Sequence, residues 1–327
     1  MSIVVQKFGG TSLRNLSNQS EFLKLVKKEV QIGSKLVVVV SAMGRRGDPY
    51  ATDTLINQLE NISTIINPRK KDLIMSVGET ISAALVSHLF ESEGLPSEAL
   101  MGFQAGIITD NTFNQGKIIK INTNKIQGYL NENKIVVVAG FQGATESLDI
   151  TTLGRGGSDT TAVALGVNLN AERVDIFTDV PGVAVTDPRV VPNAKYIKKI
   201  SYNDMYKLAI NGANVIHPYA VLLAKQYNIP IRILSTFTDD PGTLISNDTT
   251  NLKIIGFGIK KQESNSVISF IFNSDYKNEI IQKLDKFLLD EKEHLINIEY
   301  SSDKVSIVVN NEVLAEFLQR LYFNFIQ

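Results

Sequence analysis

The chain contains no cysteine, only three histidines, and no apolar run near the roughly 20 residues that would cross a bilayer. Each absence removes a class of function. Without cysteine there is no disulfide framework and no thiolate zinc site, and His88, His217 and His294 are too scattered to suggest a histidine metal site. Net charge is also scarce: 33 Lys and Arg against 34 Asp and Glu leave a formal charge of −1. That balance removes the usual electrostatic motive for binding nucleic acid or an anionic membrane, so any anionic ligand must be held by a local group of cations. The N-terminus runs directly into a strand-like segment with no signal peptide, and the expectation is a cytoplasmic protein. No Walker A pattern and no dinucleotide fingerprint occurs.

What the 327 residues do contain is a pair of glycine-rich segments, Lys7-Phe8-Gly9-Gly10-Thr11-Ser12 and Gly154-Arg155-Gly156-Gly157-Ser158-Asp159. The first closes the apolar run Ile3 to Val5. Its two glycines let backbone N–H groups approach a phosphate where any side chain would intervene, and Lys7 adds a positive charge. The second leads into Thr160 to Leu169, which reads as a helix whose N-terminal dipole also favours an anion. Together they describe a phosphate clamp.

Strand-like runs at Ile3 to Phe8, Lys35 to Ser41, Lys134 to Ala139, Val174 to Thr178 and Pro230 to Ser235 alternate with helical patterns. Near-continuous apolar strands separated by helices imply an α/β fold with a mostly parallel sheet covered on both faces. Phe22, Leu25, Val26 and Val30 recur at helical spacing with Gly33 as a stop, and Ser201 with Asp204 imitates a capping box for a helix ended by Gly212. Asp239 to Thr250 has the composition of a linker. Beyond it, strands are expected at Ile254 to Ile259, Val267 to Phe272, Leu295 to Ser301 and Val305 to Val309, with helices at Asn278 to Leu289 and Glu312 to Phe325. That is a small α+β unit, so residues 1–245 and 252–327 are expected to be two domains.

The strings KFGGTS and GRGGSDT resemble the aspartokinase family of the amino-acid-kinase fold. Similar motifs follow in the family's order across roughly residues 1 to 245: Val38 to Gly44, Thr52-Asp53, Ser76 to Thr80, Gln104 to Gly106, Ala139 to Gly143, Thr178 to Gly182, Thr186 to Arg189 and His217-Pro218. The resemblance implies an amino-acid-kinase sandwich followed by a single ferredoxin-like, ACT-type module. It implies phosphorylation of the β-carboxylate of L-aspartate by ATP with Mg²⁺, at the entry to lysine, threonine and methionine synthesis, in a homodimer or higher homo-oligomer.

Phosphoryl transfer needs positioning and charge neutralisation more than a strong base, and an aspartate carboxylate with a pKa of about 3.9 is already ionised. Lys7 is the expected catalytic cation, with Asp159 orienting it. Arg155 suits a carboxylate, because a guanidinium fork binds one bidentately, and Glu79 would take the α-ammonium of the same amino acid. The competing readings are an Arg155–Asp159 ion pair closing a turn, and a plain helix-N-terminal carboxylate at Glu79. By resemblance Thr52, Gly156, Gly157 and Ser158 complete the substrate site, and Lys7, Phe8, Gly9, Gly10, Ser41, Thr178, Asp179, Asp187 and Arg189 bind nucleotide. No metal cage made wholly of protein is expected, and His217 reads as a packed histidine.

Two departures from the family pattern stand out, Ala184 in place of an aromatic residue and Asn214 in place of a lysine. In the tail, the strand-to-helix turn Asn273 to Asn278 lacks the Pro-Gly with which ACT modules bind effectors. The alternatives to an aspartate kinase are a catalytically weak amino-acid sensor and a kinase for another small acid, such as glutamate or N-acetylglutamate.

Overall fold

Valine and isoleucine dominate the runs that build the centre of the molecule, because β-branched side chains suit a pleated surface buried on both faces. A computed structural model describes residues 2–248 and 252–327, except for the side chain of Leu16. Its main sheet contains β1 (Ile3–Phe8), β2 (Lys35–Val40), β3 (Ser97–Leu100), β6 (Ile135–Ala139), β9 (Arg173–Thr178), β10 (Lys199–Ser201), β11 (Ile231–Ser235) and β12 (Thr243–Ser246). The order is β10-β12-β11-β9-β1-β2-β6-β3, parallel except where β11 meets β12.

Alternate residues of β1 and β2 serve opposite layers. Val4, Phe8, Val38 and Val40 pack with Phe22 of α1 (Leu16–Gln31) and Phe90 of α3 (Pro68–Ser92). Val5, Val37 and Val39 pack toward α5 (Gly157–Asn168) and α7 (Pro218–Tyr227). Two shorter helices, α2 (Thr52–Glu60) against α3 and α4 (Asn124–Asn131) against β6, and a small sheet of β4 (Ile107–Thr109), β5 (Ile118–Ile121), β7 (Gln142–Ala144) and β8 (Ile150–Thr152) complete this part. The capping reading holds at α6 (Tyr202–Ile210), where Ser201 Oγ accepts the Asp204 N–H at 3.1 Å.

The expected linker is partly wrong. Thr243–Ser246 is strand β12, paired with both β10 and β11, while Thr249 and Thr250 lie outside the described residues. The tail then forms a four-stranded antiparallel sheet, β13 (Ile254–Lys261), β14 (Asn265–Phe272), β16 (Lys304–Asn310) and β15 (Leu295–Tyr300) in that order, with α8 (Lys277–Asp290) and α9 (Leu314–Ile326). The fold class expected from the sequence is therefore present, a mostly parallel α/β sandwich plus a small α+β unit.

This tail is fused to the rest. One apolar cluster runs from Val5 to Tyr322, and Phe257 N–H of β13 donates to the Val185 carbonyl at 2.7 Å. Gly212, at φ +116°, lies against the β13 backbone so closely that a Cβ would meet the Ile259 carbonyl. Ser269 of β14 donates to the Asn211 side chain at 3.1 Å.

Candidate active site

The carboxyl ends of β2, β1 and β9 finish at one level, since Phe8 pairs with Val40 on one side and Phe177 on the other. In open α/β sheets that edge is where ligands bind. Lys7, one residue before the end of β1, reaches Asp159 in the first turn of α5, with Nζ 2.8 Å from Oδ1. Asp159 Oδ2 also accepts the backbone N–H of His217 at 3.2 Å. Gly156 caps α5 in the left-handed region at φ +67°, against the His217 ring. The first N–H groups of a twelve-residue helix therefore open beside the lysine.

These groups line a cavity of about 540 Å³. Lys7, Ser41, Thr52, Glu79, Arg155, Gly156, Gly157, Ser158 and Asp159 all border it, so two segments 145 or more residues apart in sequence share one hollow. Glu79 is 3% exposed, and burial pushes its carboxyl up to about 8, outweighing the backbone contact from Ala42. Its Oε2 has no hydrogen-bond partner. Near neutral pH this acid mostly holds its proton, and no side-chain cation pairs with it among the described residues.

Two of the competing readings fall away, and the role open to a third residue narrows. Glu79 is not at a helix N-terminus, because α3 begins eleven residues earlier at Pro68 and carries it mid-helix. Arg155 does not pair with Asp159, whose ionic partner is Lys7; Arg155 is exposed and has no ion-pair partner among the described residues. Phe8 is a core residue, fully buried and stacked at 4.5 Å on Phe177, so only its backbone is available to a ligand.

The remaining expected nucleotide residues lie outside the cavity. Gly9 and Gly10 follow β1, and Thr178 and Asp179 finish and follow β9. Asp179 pairs with Arg45 at 2.8 Å. Asp187 is held below the usual carboxylate range by the Arg189 guanidinium, which bonds both its oxygens at 2.7 to 3.2 Å.

Sequence reasoning did not single out Lys71, Met75 and Asn114, and met Phe141 only inside the motif Ala139 to Gly143; all four also border the cavity. Asn114 sits at φ +66° with its N–H on the fully buried Asp72, and its Oδ1 has no partner. An asparagine is among the few non-glycine residues that tolerate this conformation, but nothing in its local sequence announces a pocket wall. Among the described residues no group of three His, Asp or Glu side chains is arranged to hold a metal by itself.

Residues 2–235 match the amino acid kinase family. Aspartokinase 1 of Bacillus subtilis is 48% identical over 247 residues, 76% of this chain and 61% of that protein. The aspartokinase of Geobacillus stearothermophilus is 46% identical over 250 residues, 76% of this chain and 60% of its own length. The chain thus spans about three fifths of the length of these relatives. The crystal structure of E. coli aspartokinase III in complex with aspartate and ADP superposes with a TM-score of 0.83 over 99% of this chain and 100% of its own, at 23% identity, a likeness of fold.

Proposed function

The chain belongs to the amino acid kinase family, in its aspartokinase branch, and we propose that it transfers the γ-phosphoryl group of ATP to the β-carboxylate of L-aspartate. The observation that carries the reading is Glu79, a buried carboxyl with one oxygen unpartnered, in the same cavity as the exposed fork of Arg155 and the Lys7–Asp159 pair. Such a cavity suits a zwitterion: Glu79 takes the α-ammonium, and Arg155 the α-carboxylate. Thr52 and Ser158 contribute hydroxyl contacts.

The β-carboxylate is the nucleophile and is already ionised, so no general base is required. One of its oxygens forms the new bond to the γ-phosphorus while the bond to the β,γ-bridging oxygen breaks, giving 4-phospho-L-aspartate and ADP. Charge on the transferring group is met by Lys7, which Asp159 aims, and by the N–H groups of Gly9, Gly10 and the start of α5. Mg²⁺ would accompany the nucleotide, with Asp159 and Asp179 as the carboxylates near enough to hold it, and would supply neutralisation of phosphate charge. Ser41, Thr178, Asp179, Asp187 and Arg189 are assigned to the nucleotide.

We assign residues 1–245 to catalysis and 252–327 to an ACT-like regulatory or dimerisation unit, acting in a cytoplasmic homo-oligomer. The test is ADP release with L-aspartate, with the acyl phosphate trapped by hydroxylamine. Turnover with glutamate or N-acetylglutamate in preference would replace the substrate. Nucleotide binding without transfer to any of the three would leave the amino-acid sensor.

A further inference from the structure

Arg45 lies on the loop after β2, yet its side chain ends at the far side of the neighbouring strand. Across the sheet the order is β2, β1, β9, and Ala42, Gly10 and Asp179 each stand two residues beyond the level at which Val40, Phe8 and Phe177 pair. The loop starts on the β2 flank and lies directly on the glycine pair: Gly44 N–H donates to the Gly10 carbonyl at 3.1 Å, and a Cβ on Gly10 would collide with the Ala42 carbonyl. From there Arg45 Nη2 reaches Asp179 Oδ2 on the β9 flank at 2.8 Å. Between those flanks lies the Gly9-Gly10 segment, whose N–H groups are assigned above to phosphate.

The base of Arg45 is fixed and its tip is not. Asp48 Oδ2 accepts the Arg45 backbone N–H at 2.7 Å and is itself paired with Arg14 at 3.0 Å. The guanidinium, in contrast, holds Asp179 through one hydrogen bond between side chains that are 66% and 46% exposed. Ion pairs of that exposure contribute little, so a phosphate can displace Asp179 with small loss. Two other cations near these strand ends are already engaged, Lys7 by Asp159 and Arg189 by both oxygens of Asp187, and Arg155, which has no such partner, is assigned above to the amino acid.

We propose that Arg45 is a phosphate-binding residue of the nucleotide site, resting on Asp179 in the empty protein and moving to the β- or γ-phosphate when nucleotide enters. This rests on the kinase reading but addresses only its nucleotide half. The experiment is equilibrium binding of AMP and ATP to the wild-type chain, Arg45→Ala, Arg45→Lys and Arg46→Ala, with thermal melting as a folding control. Arg46 is an exposed neighbour of equal charge.

Losing a charge-assisted bond should weaken ATP roughly tenfold or more in Arg45→Ala while AMP stays within about twofold, with partial recovery in Arg45→Lys. Arg46→Ala should leave both nucleotides nearly unchanged. Equal losses for AMP and ATP, no loss at all, or an Arg46→Ala effect as large as that of Arg45→Ala would overturn the proposal. A wild-type chain that binds ATP more tightly than AMP yet transfers nothing to aspartate would sink the substrate reading and leave Arg45 standing.

Discussion

If Glu79 receives the α-ammonium of the substrate, binding must expel the proton that burial has placed on it. With the carboxyl near 8 in the empty protein, about 0.9 of the molecules carry that proton at pH 7. An ammonium at hydrogen-bond distance returns the group to its ionised form, so each aspartate bound at pH 7 should release about 0.9 proton. The affinity should then improve about 50-fold between pH 6 and pH 8, a range in which the carboxylates of aspartate do not titrate. Calorimetric titration in two buffers of different protonation enthalpy measures the release, and the Michaelis constant for aspartate from pH 6 to 8 measures the slope. Glu79→Gln should abolish both and weaken binding at pH 8. The same shift acts on stability: between about 4.5 and about 8 the folded empty protein holds a proton that the unfolded chain has lost, so stability falls as pH rises through that window and levels off above it. Aspartate binding that is flat in pH and releases no proton would refute the pairing of Glu79 with the ammonium.

Lys7→Ala should fold normally and lose at least ~100-fold in turnover, since one preorganised charge typically contributes about 3 kcal/mol or more to a transition state; near-normal steady-state turnover would remove Lys7 from the mechanism. Arg155→Lys keeps the charge but not the fork, so the Michaelis constant for aspartate should rise much more than that for ATP, and the opposite pattern would move Arg155 to the nucleotide side. Millimolar lysine or threonine should inhibit weakly or not at all. At the turn where an effector would dock, the N–H groups of Asp275 and Tyr276 are already bonded to Asn273, and sub-millimolar sigmoidal inhibition by lysine would show that the tail senses ligand all the same.

The central strands of the main sheet were legible because each is a short, nearly pure apolar run, and the two glycine motifs hold Lys7 and Gly154 to Asp159 of the cavity wall. β12 was not, because four residues with only Leu244 and Ile245 apolar, set among Asp, Pro and Gly, carry too little pattern to outweigh their neighbours. The first turns of α3 were missed for a related reason: Arg69, Lys70 and Lys71 open the helix, and its start depends on Asn67 accepting the Arg69 N–H with Pro68 at the first position. Arg45 and Asn114 gave no signal, since their meaning comes from partners brought near by folding, Asp179 lying 134 residues from Arg45 and Asp72 42 residues from Asn114.

At the seam between α6 and the tail sheet, main chain rests on main chain: Gly212 against the Ile259 carbonyl, Gly258 against the Asn211 carbonyl, Gly256 against the Val185 carbonyl. At these three points no side chain intervenes through which single substitutions could gradually reshape the contact. The tail therefore cannot be traded for another module by recombination at a neighbouring loop, because an incoming sheet would have to arrive with glycines at matching heights. A change at this seam has to be made on both sides at once, whereas β15, at the far edge of the sheet, is largely exposed and free of that constraint.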